Sequence, residues 1–282
     1  MSTITLKLNP SQRRHLFETL KEDQTNPPAY AEWQVRPEGC VITSYESGKV
    51  VFQGKDAEVY ASPFQSVSEV KVPQAGSDEV GTGDYFGPVC VSASLVRKED
   101  IDLLTSLGVK DSKALTDAEI RHIAPELSEY LIHTVLVVSP KKYNQVHARY
   151  NMNEIKALLH NQAYLNLSRK TSLPSLCVVD QFAEEPVYFH YLRYEKDVVR
   201  TLHFETKAEN KYPAVGAASV LARYAFLQYM DKMDEAYDMR FAKGSGSPAD
   251  RSASEFVQRY GMKKLGEVAK LHFKNTEKLN LK

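Results

Sequence analysis

The spacing of apolar and polar residues changes character near residue 70, and this change predicts two domains. Residues 3–8 alternate in polarity, as a half-buried strand does, and Pro10 then opens a helix that continues to about residue 23. Turn residues at 37–39 and 46–49 separate the short apolar runs that follow. These runs predict strands at 31–36, 40–45 and 50–53, and a short helix at 55–62. The first 65 residues therefore form a small α+β unit.

Beyond residue 74 the pattern becomes one of strands separated by longer helices, which is typical of an α/β domain. Strands are predicted at 75–80, 88–96, 131–138, 176–180 and 198–204. Helices are predicted at 116–130, 153–168, 213–236 and 252–261. We therefore expect a mixed sheet with flanking helices over 75–282, a linker at 66–74 and a separate domain at 1–65.

Composition excludes several classes of protein. The 282 residues are 43% hydrophobic and 26% charged, as in ordinary globular domains. No apolar run approaches the roughly 18 residues that a membrane span needs, and the amino terminus lacks the pattern of a signal peptide. Three widely spaced cysteines suit reduced thiols. We therefore expect a cytoplasmic protein without membrane contact; a net charge of +0 gives no hint of its partner.

Carboxylates at strand ends are the most informative chemical feature. Asp78 and Glu79 lie near the end of an apolar strand, and because adjacent strand residues face opposite sides, only one can lie squarely over a given sheet face. Asp180 ends the apolar run at 175–180, where it either caps a turn or enters a site. Glu209 lies in the segment before the helix at 213, where a solvated loop acid is the simpler interpretation of that residue alone.

Taken together, these acids fit a metal-dependent phosphodiesterase. Magnesium prefers hard oxygen ligands, and two ions about 3.5–4 Å apart can activate water and stabilise a leaving oxygen. The sequence has no His/Cys cluster for zinc, no Gly-x-Ser-x-Gly nucleophile and no phosphate-binding Gly-x-x-x-x-Gly-Lys-Ser/Thr loop.

Five motifs in order make the chain resemble the type 2 ribonucleases H, and within them the bacterial ribonuclease HIII group. They are GSDEVGTGDYFGP at 76–88, DSKAL at 111–115, VVDQF at 178–182, FETKAE at 204–209 and AASVLARYA at 217–225. The resemblance implies a ribonuclease H-like fold and four catalytic, metal-binding acids: Asp78, Glu79, Asp180 and Glu209. It also implies that residues 1–65 form a TBP-like domain that binds substrate, with ESGKVVFQG at 46–54 carrying this likeness.

The same resemblance suggests where substrate binds. The Gly81-Thr82-Gly83 turn is expected to approach the RNA strand, where contact with a 2′-hydroxyl distinguishes RNA from DNA. Lys113 and Arg223 are candidate phosphate ligands. In the amino-terminal domain Trp33 and Tyr45 are equally consistent with substrate contact and with ordinary packing.

The expected function is therefore cleavage of the RNA strand of RNA/DNA hybrids by a two-metal mechanism with Mg²⁺ or Mn²⁺, leaving 5′-phosphate and 3′-hydroxyl ends. The expected partner is the hybrid duplex and the expected state a monomer. Two alternatives stay open: cleavage at single embedded ribonucleotides, as in the ribonuclease HII group, and non-catalytic hybrid binding. The concentration of acids argues against a pure binder, because carboxylates beside a polyanion repel it.

Overall fold

The computed structural model describes residues 2–8, 10–62, 64, 71–109 and 115–280. The chain divides into two compact units, Met1–Glu69 and Val70–Lys282. Most of the predicted linker and residues 110–114, which include Lys113, lie outside the described residues. At the end of the predicted linker, Gln74 already belongs to a strand: its side chain bonds to the carbonyl of Lys71 and the amide of Ala214.

The amino-terminal unit is an antiparallel sheet of five strands in the order β1-β5-β4-β3-β2 with two helices. The strands are β1 (Ser2–Lys7), β2 (Gln24–Thr25), β3 (Ala31–Val35), β4 (Cys40–Tyr45) and β5 (Lys49–Gly54), and the helices are α1 (Pro10–Leu20) and α2 (Ala57–Ala61). The core of this unit includes Leu16, Val35, Ile42 and Phe52. Alternate residues of β3, β4 and β5 therefore face the helices.

The carboxy-terminal unit contains a mixed sheet of five strands in the order β10-β9-β6-β7-β8. The strands are β6 (Gln74–Val80), β7 (Val89–Val96), β8 (His133–Val138), β9 (Leu176–Asp180) and β10 (His203–Glu205). β9 runs parallel to both β6 and β10, whereas β7 runs antiparallel to β6 and β8. The carboxyl ends of β6, β9 and β10 therefore meet at one edge of the sheet.

Helices surround this sheet, as expected for the predicted α/β class. They are α3 (Ile101–Ser106), α4 (Asp117–Tyr130), α5 (Pro140–His147), α6 (Met152–Ser168), α7 (Glu185–Tyr191), α8 (Pro213–Ala236), α9 (Ser247–Tyr260), α10 (Leu265–Val268) and α11 (Lys274–Asn280). Within the described part of the chain, no helix combines the length and hydrophobicity of a membrane span.

Two long helices, α8 and α6, pack against opposite faces of the sheet over β6 and its neighbours β7 and β9. On one face, the Ser94 hydroxyl donates to the carbonyl of Ala214 at the start of α8. On the other, the Tyr164 hydroxyl of α6 donates to the carbonyl of Val178 across 2.6 Å. Alanine and glycine make the first turns of α8 narrow, and residues 214–218 are all buried. Close packing on both faces fixes the direction of every side chain on β6.

The predicted strand at 198–204 is wrong over its first five residues, since only His203–Glu205 pairs with β9. The Val199 amide instead donates to the side chain of Asn161 on α6, and Asn161 also donates to the carbonyl of Asp197. A buried helix residue therefore satisfies backbone groups that a sheet would otherwise pair. The sequence analysis also missed the helices α3, α5, α7, α10 and α11, each of eight residues or fewer and too short for clear periodicity.

The division into two units predicts that residues 70–282 fold without the amino-terminal unit, because each unit has its own hydrophobic core. We expect this fragment to give a single cooperative thermal transition by circular dichroism. A fragment that unfolds over a broad temperature range and has no near-ultraviolet signal before heating would contradict the prediction.

Candidate active site

Two carboxylates meet at the edge of the sheet because β6 and β9 are parallel neighbours. Ser77 is paired with Val179, so Asp78 and Asp180 are the next residues along their two strands. Asp78 is buried, and the Asp180 charge acts on it electrostatically. Asp180 also caps a turn, since its Oδ1 accepts from the Ala208 amide at 3.0 Å. The turn-capping interpretation of Asp180 is therefore confirmed, and its role in a site stays a prediction.

The surroundings of Asp78 do not suit a bare negative charge. Burial, followed by the charges of Glu79 and Asp180, raises the pKa of Asp78 to about 8. A hydrogen bond from the Ser219 hydroxyl on α8 and one from the Glu79 amide, at 2.7 Å, act in the opposite direction. The negative charges of Glu79 and Asp180 thus act on the buried Asp78 carboxyl group. Such a convergence of carboxylates is suited to binding a divalent cation.

Glu209 follows directly after the turn that Asp180 caps. Lys207 adopts a left-handed conformation, with φ of 56°, and residues Ala208–Asn210 form a single turn of 3-10 helix. Glu209 is only 1% exposed. It is therefore not the solvated loop acid that its sequence context alone suggested. The nearby Glu205 is different: hydrogen bonds from Lys211, Tyr212 and His203 lower its pKa to about 2.

Glu79 faces the other side of the sheet, towards α6. Its two carboxylate oxygens accept from Lys156 Nζ and His160 Nε2, each at 2.8 Å. Burial alone would raise the pKa of Glu79, but hydrogen bonds and charges from His160 and Lys156 lower it below its usual value. The sequence analysis missed both partners. The available signal was two basic side chains one turn apart on an otherwise apolar face of α6.

The donor chemistry fits a hard divalent cation held partly by protein. Asp78 and Asp180 supply carboxylate oxygens side by side, which is what Mg²⁺ and Mn²⁺ prefer. Among the described residues, no group of three or more His, Cys, Asp or Glu converges closely enough to hold an ion by itself. Magnesium commonly completes its coordination with water and substrate phosphate, so two convergent carboxylates are compatible with such a site.

The two glycines of the turn after Glu79 differ: the fold requires a glycine at Gly81 but not at Gly83. Gly81 has φ of +95°, and a Cβ there would lie 2.1 Å from the carbonyl oxygen of Pro88. Gly83 is exposed, and a Cβ there would meet nothing within 4 Å. Gly81 is therefore required by the fold. The fold places no such requirement on Gly83, which leaves room for a substrate strand.

Asp84 and Tyr85 anchor the end of this turn to the carboxy-terminal part of the chain. The Asp84 carboxylate accepts from the Gly244 amide at 2.5 Å, and the Tyr85 amide donates to the Gly244 carbonyl. Lys270, which is fully buried, donates to the Gly87 carbonyl at 2.6 Å. The turn is thus attached to the carboxy-terminal part of the chain at both Asp84 and Gly87.

Arg223 is already paired on the protein. Its guanidinium donates to the Asp117 carboxylate at 2.6 and 3.1 Å and to the Leu115 carbonyl at 2.7 Å. Lys243 pairs with the same carboxylate. The phosphate role expected for Arg223 stays a prediction, and the geometry shows this residue anchoring Leu115 and Asp117.

The two aromatic candidates belong to the amino-terminal unit. Trp33 packs on Phe17 of α1 with ring centroids 5.4 Å apart and joins the core between sheet and helices. Tyr45 is half-buried at the end of β4, and its carbonyl lies within reach of the Arg13 guanidinium. Packing therefore accounts for Trp33, whereas substrate contact by Tyr45 stays a prediction.

Comparison with known families assigns both parts of the chain. The family described as Ribonuclease HII matches residues 75–276, and a domain of unknown function, DUF3378, matches residues 3–76. The chain therefore belongs to the ribonuclease HII family, that is, to the type 2 ribonucleases H.

Relatives within that family are ribonucleases HIII. The enzyme of Geobacillus sp. (strain WCH70) is 43% identical over 266 residues, covering 89% of this chain and 88% of its own length. That of Exiguobacterium sibiricum is 39% identical over 296 residues, covering 99% and 96%. The resemblance drawn from the five motifs is thus confirmed, and the chain is a ribonuclease H that hydrolyses the RNA strand of RNA/DNA hybrids.

Solved structures agree with this assignment. Bst-RNase HIII in complex with Mn²⁺ matches with a TM-score of 0.76 and 34% identity, covering 99% of this chain and 98% of that chain. Ribonuclease H2 from Pyrococcus horikoshii OT3 matches with a TM-score of 0.61 and 26% identity, covering 74% of this chain and 97% of its own. The predicted fold class is confirmed.

We predict that Asp78→Asn stabilises the metal-free protein although it removes a predicted catalytic acid. A raised pKa means that Asp78 favours the folded state below its unfolded value near 3.8 and loses this contribution as pH rises through about 8. The neutral asparagine avoids that loss. In chelator, the melting temperature of the variant should exceed that of the wild type at pH 8, by about 2–4 °C per kcal/mol, with little difference at pH 4. A less stable variant at pH 8 would contradict the assignment.

The glycine turn gives a matched pair of variants. Gly83→Ala should leave the melting temperature unchanged but depress cleavage, because its Cβ occupies space where we expect the RNA strand. Gly81→Ala should lower the melting temperature, since its Cβ meets backbone. Thr82→Ala is the control and should be mild if backbone groups make the contact. Wild-type cleavage rates in Gly83→Ala would exclude the turn as the sensor of ribose.

Proposed function

We propose that the site at Asp78 and Asp180 cleaves the RNA strand with two divalent cations, Mg²⁺ or Mn²⁺, and leaves 5′-phosphate and 3′-hydroxyl ends. The observation that carries this proposal is the pair of carboxylates at the ends of adjacent parallel strands. The relative Bst-RNase HIII is described in complex with Mn²⁺, which supports the choice of metal. Divalent ions in such a site activate water and stabilise the leaving oxygen.

Each acid has a separate task in this proposal. Asp78 and Asp180 hold the cations directly, since both lie at the carboxyl edge of the sheet. Glu209, on the turn that Asp180 caps, supplies the fourth carboxylate. Glu79 is the remaining metal-binding acid, and its carboxylate is oriented by Lys156 and His160 of α6. The Ser219 hydroxyl orients the Asp78 carboxylate towards the edge.

The Gly81-Thr82-Gly83 turn, rather than the acids, distinguishes RNA from DNA in this proposal, because metal-assisted hydrolysis has no intrinsic preference for ribose. Backbone groups at the exposed Gly83 are free to approach the sugar, and a polar site rejects a substrate that lacks the hydroxyl because its own groups are left unpaired. We also propose that the enzyme is a cytoplasmic monomer.

One assay tests the function and its main alternative. A hybrid duplex and a duplex with a single embedded ribonucleotide are incubated with Mg²⁺, Mn²⁺ or chelator, using wild type and Asp180→Asn. We expect metal-dependent cleavage of the hybrid by wild type and none by Asp180→Asn, which should still bind hybrid in a mobility-shift experiment. Cleavage confined to the single ribonucleotide would favour ribonuclease HII-like activity, and full activity of Asp180→Asn would refute the metal site.

The amino-terminal unit is proposed to bind the hybrid through the sheet face opposite its helices. Strand register places Gln34, Thr43 and Val51 in one row on that face, and Gln34 Nε2 donates to the Thr43 hydroxyl at 2.9 Å. Residues 1–70 contain seven Lys/Arg and nine Asp/Glu. Gln34 and Thr43 are buried and bonded to each other, so the shape of this face matters more than its charge, as is usual for recognition across a shallow groove.

This role predicts weaker hybrid binding by residues 70–282 than by the whole chain. Because few cations are removed, the dependence of affinity on salt should change little. Fluorescence anisotropy at several salt concentrations, with a catalytically inactive Asp180→Asn background, measures both quantities. Equal affinity for the fragment and the whole chain would refute a binding role for the amino-terminal unit.

A further inference from the structure

The helix α5 begins at the edge of the sheet that carries Asp78 and Asp180. β8 is antiparallel to β7, and β7 is antiparallel to β6, so β6 and β8 end at the same edge. Pro140, two residues beyond the end of β8, is the first residue of α5. Tyr143 of α5 shares a buried cluster with Val89, the first residue of β7 after the glycine turn. The helix therefore lies beside this turn, at the edge where the hybrid is cut.

The face of α5 turned away from the core forms a shallow cleft of cationic and polar groups. Its lining residues are three or four positions apart, as on one side of a helix: Lys142, Gln145, Val146, Arg149 and Tyr150. The cleft measures about 280 Å³. Pockets that enclose a whole small molecule usually measure roughly 300–1,000 Å³. The size of this cleft therefore suits a single group presented by a larger molecule.

The positive charges of this face are not neutralised by acids of the same segment. Residues 130–153 contain no Asp or Glu, although 36 of the 282 residues are acidic. The next acid along the chain, Glu154, is used to cap α6. Lys142 and Arg149 are exposed, and neither side chain forms an ion pair or hydrogen bond with another residue of the described ranges. Both cations are therefore available to an anion.

The groups in the cleft match the backbone of a nucleic acid. Arginine can bind a phosphate through two parallel N–H donors, and lysine adds a compact positive charge. The Gln145 amide supplies a further donor, and the ring of Tyr150 supplies an apolar surface for a sugar. The chain hydrolyses RNA/DNA hybrids, so a polyanion must lie along the edge of the sheet where α5 begins.

We propose that the exposed face of α5 is a binding site for a backbone phosphate of the hybrid outside the scissile position, with Lys142 and Arg149 as its ligands. The inference concerns the binding of substrate, so it does not depend on the two-metal chemistry proposed above. It places a phosphate contact on cations without a partner, whereas Arg223 is held by Asp117.

The affinity of the whole chain for a hybrid tests this site without the chemistry. Fluorescence anisotropy in EDTA, at several salt concentrations, measures Kd while the RNA strand stays intact. Lys142→Met and Arg149→Met should each raise Kd about 3- to 10-fold and reduce the slope of log Kd against log salt by about one, because one phosphate contact is lost. Arg149→Lys keeps the charge and should keep the slope.

Lys98→Met is the matched control. It removes the same charge from an exposed lysine just beyond the carboxyl end of β7, at the opposite edge of the sheet. Its Kd and salt dependence should equal those of the wild type. All these side chains lie on the surface, so the melting temperatures should not change. Wild-type Kd in both Lys142→Met and Arg149→Met, or an equal loss in Lys98→Met, would overturn the proposal.

Steady-state kinetics separate binding from chemistry. With Mg²⁺ and saturating hybrid, Lys142→Met and Arg149→Met should keep the wild-type kcat, whereas KM should rise about as much as Kd. A fall in kcat with unchanged Kd would assign these residues to the chemical step and would overturn the proposal.

Hybrids with one methylphosphonate linkage identify the ligand, because this linkage removes the charge of a single phosphate. Linkages are replaced one at a time, in the RNA or the DNA strand, and Kd is measured in EDTA. At one position the replacement should raise Kd of the wild type but not that of the double variant Lys142→Met/Arg149→Met, since the contact is already lost there. Equal effects of every replacement on the two proteins would overturn the proposal, because the cations would then act only through long-range attraction.

Discussion

The repulsion between two carboxylates placed side by side is the constraint around which the catalytic unit is organised. Parallel pairing of β6 and β9 brings Asp78 and Asp180 together at one edge, and burial intensifies their mutual repulsion. A protein tolerates such an arrangement when surrounding packing forces it. Here α8 on one face and α6 on the other fix β6 so that Asp78 cannot turn away. A divalent cation held between the two carboxylates would relieve this repulsion.

The pleat of a strand then separates the roles of neighbouring acids. Asp78 faces α8 and accepts from Ser219, whereas Glu79 faces α6 and accepts from Lys156 and His160. Two adjacent carboxylates consequently have opposite electrostatic surroundings, and their pKa values shift in opposite directions. Environment, rather than residue type, distinguishes acids that are next to each other in the chain.

The turn that follows these acids is supported from distant parts of the chain. Gly244 pairs with Asp84 and Tyr85, and the buried Lys270 donates to the Gly87 carbonyl. Burial lowers the pKa of Lys270 to about 7. A fully buried amine is costly unless its donors are used, and here it fixes the backbone leaving the turn. A site on a loop is thereby held with the rigidity of the core.

Local patterns in the sequence determined the strands that carry the acids, the Ala-rich helix α8 and the position of Asp78, Glu79, Asp180 and Glu209 near strand ends, because side-chain periodicity and turn chemistry act over a few residues. Tertiary structure decided the partners. Arg223 pairs with Asp117 across 106 positions, and Glu79 meets Lys156 and His160 across 77 and 81. Likewise, Asn161 holds the backbone at 197–199 that periodicity assigned to a strand. Such contacts depend on which helix packs on which face of the sheet, and no short segment of sequence contains that information.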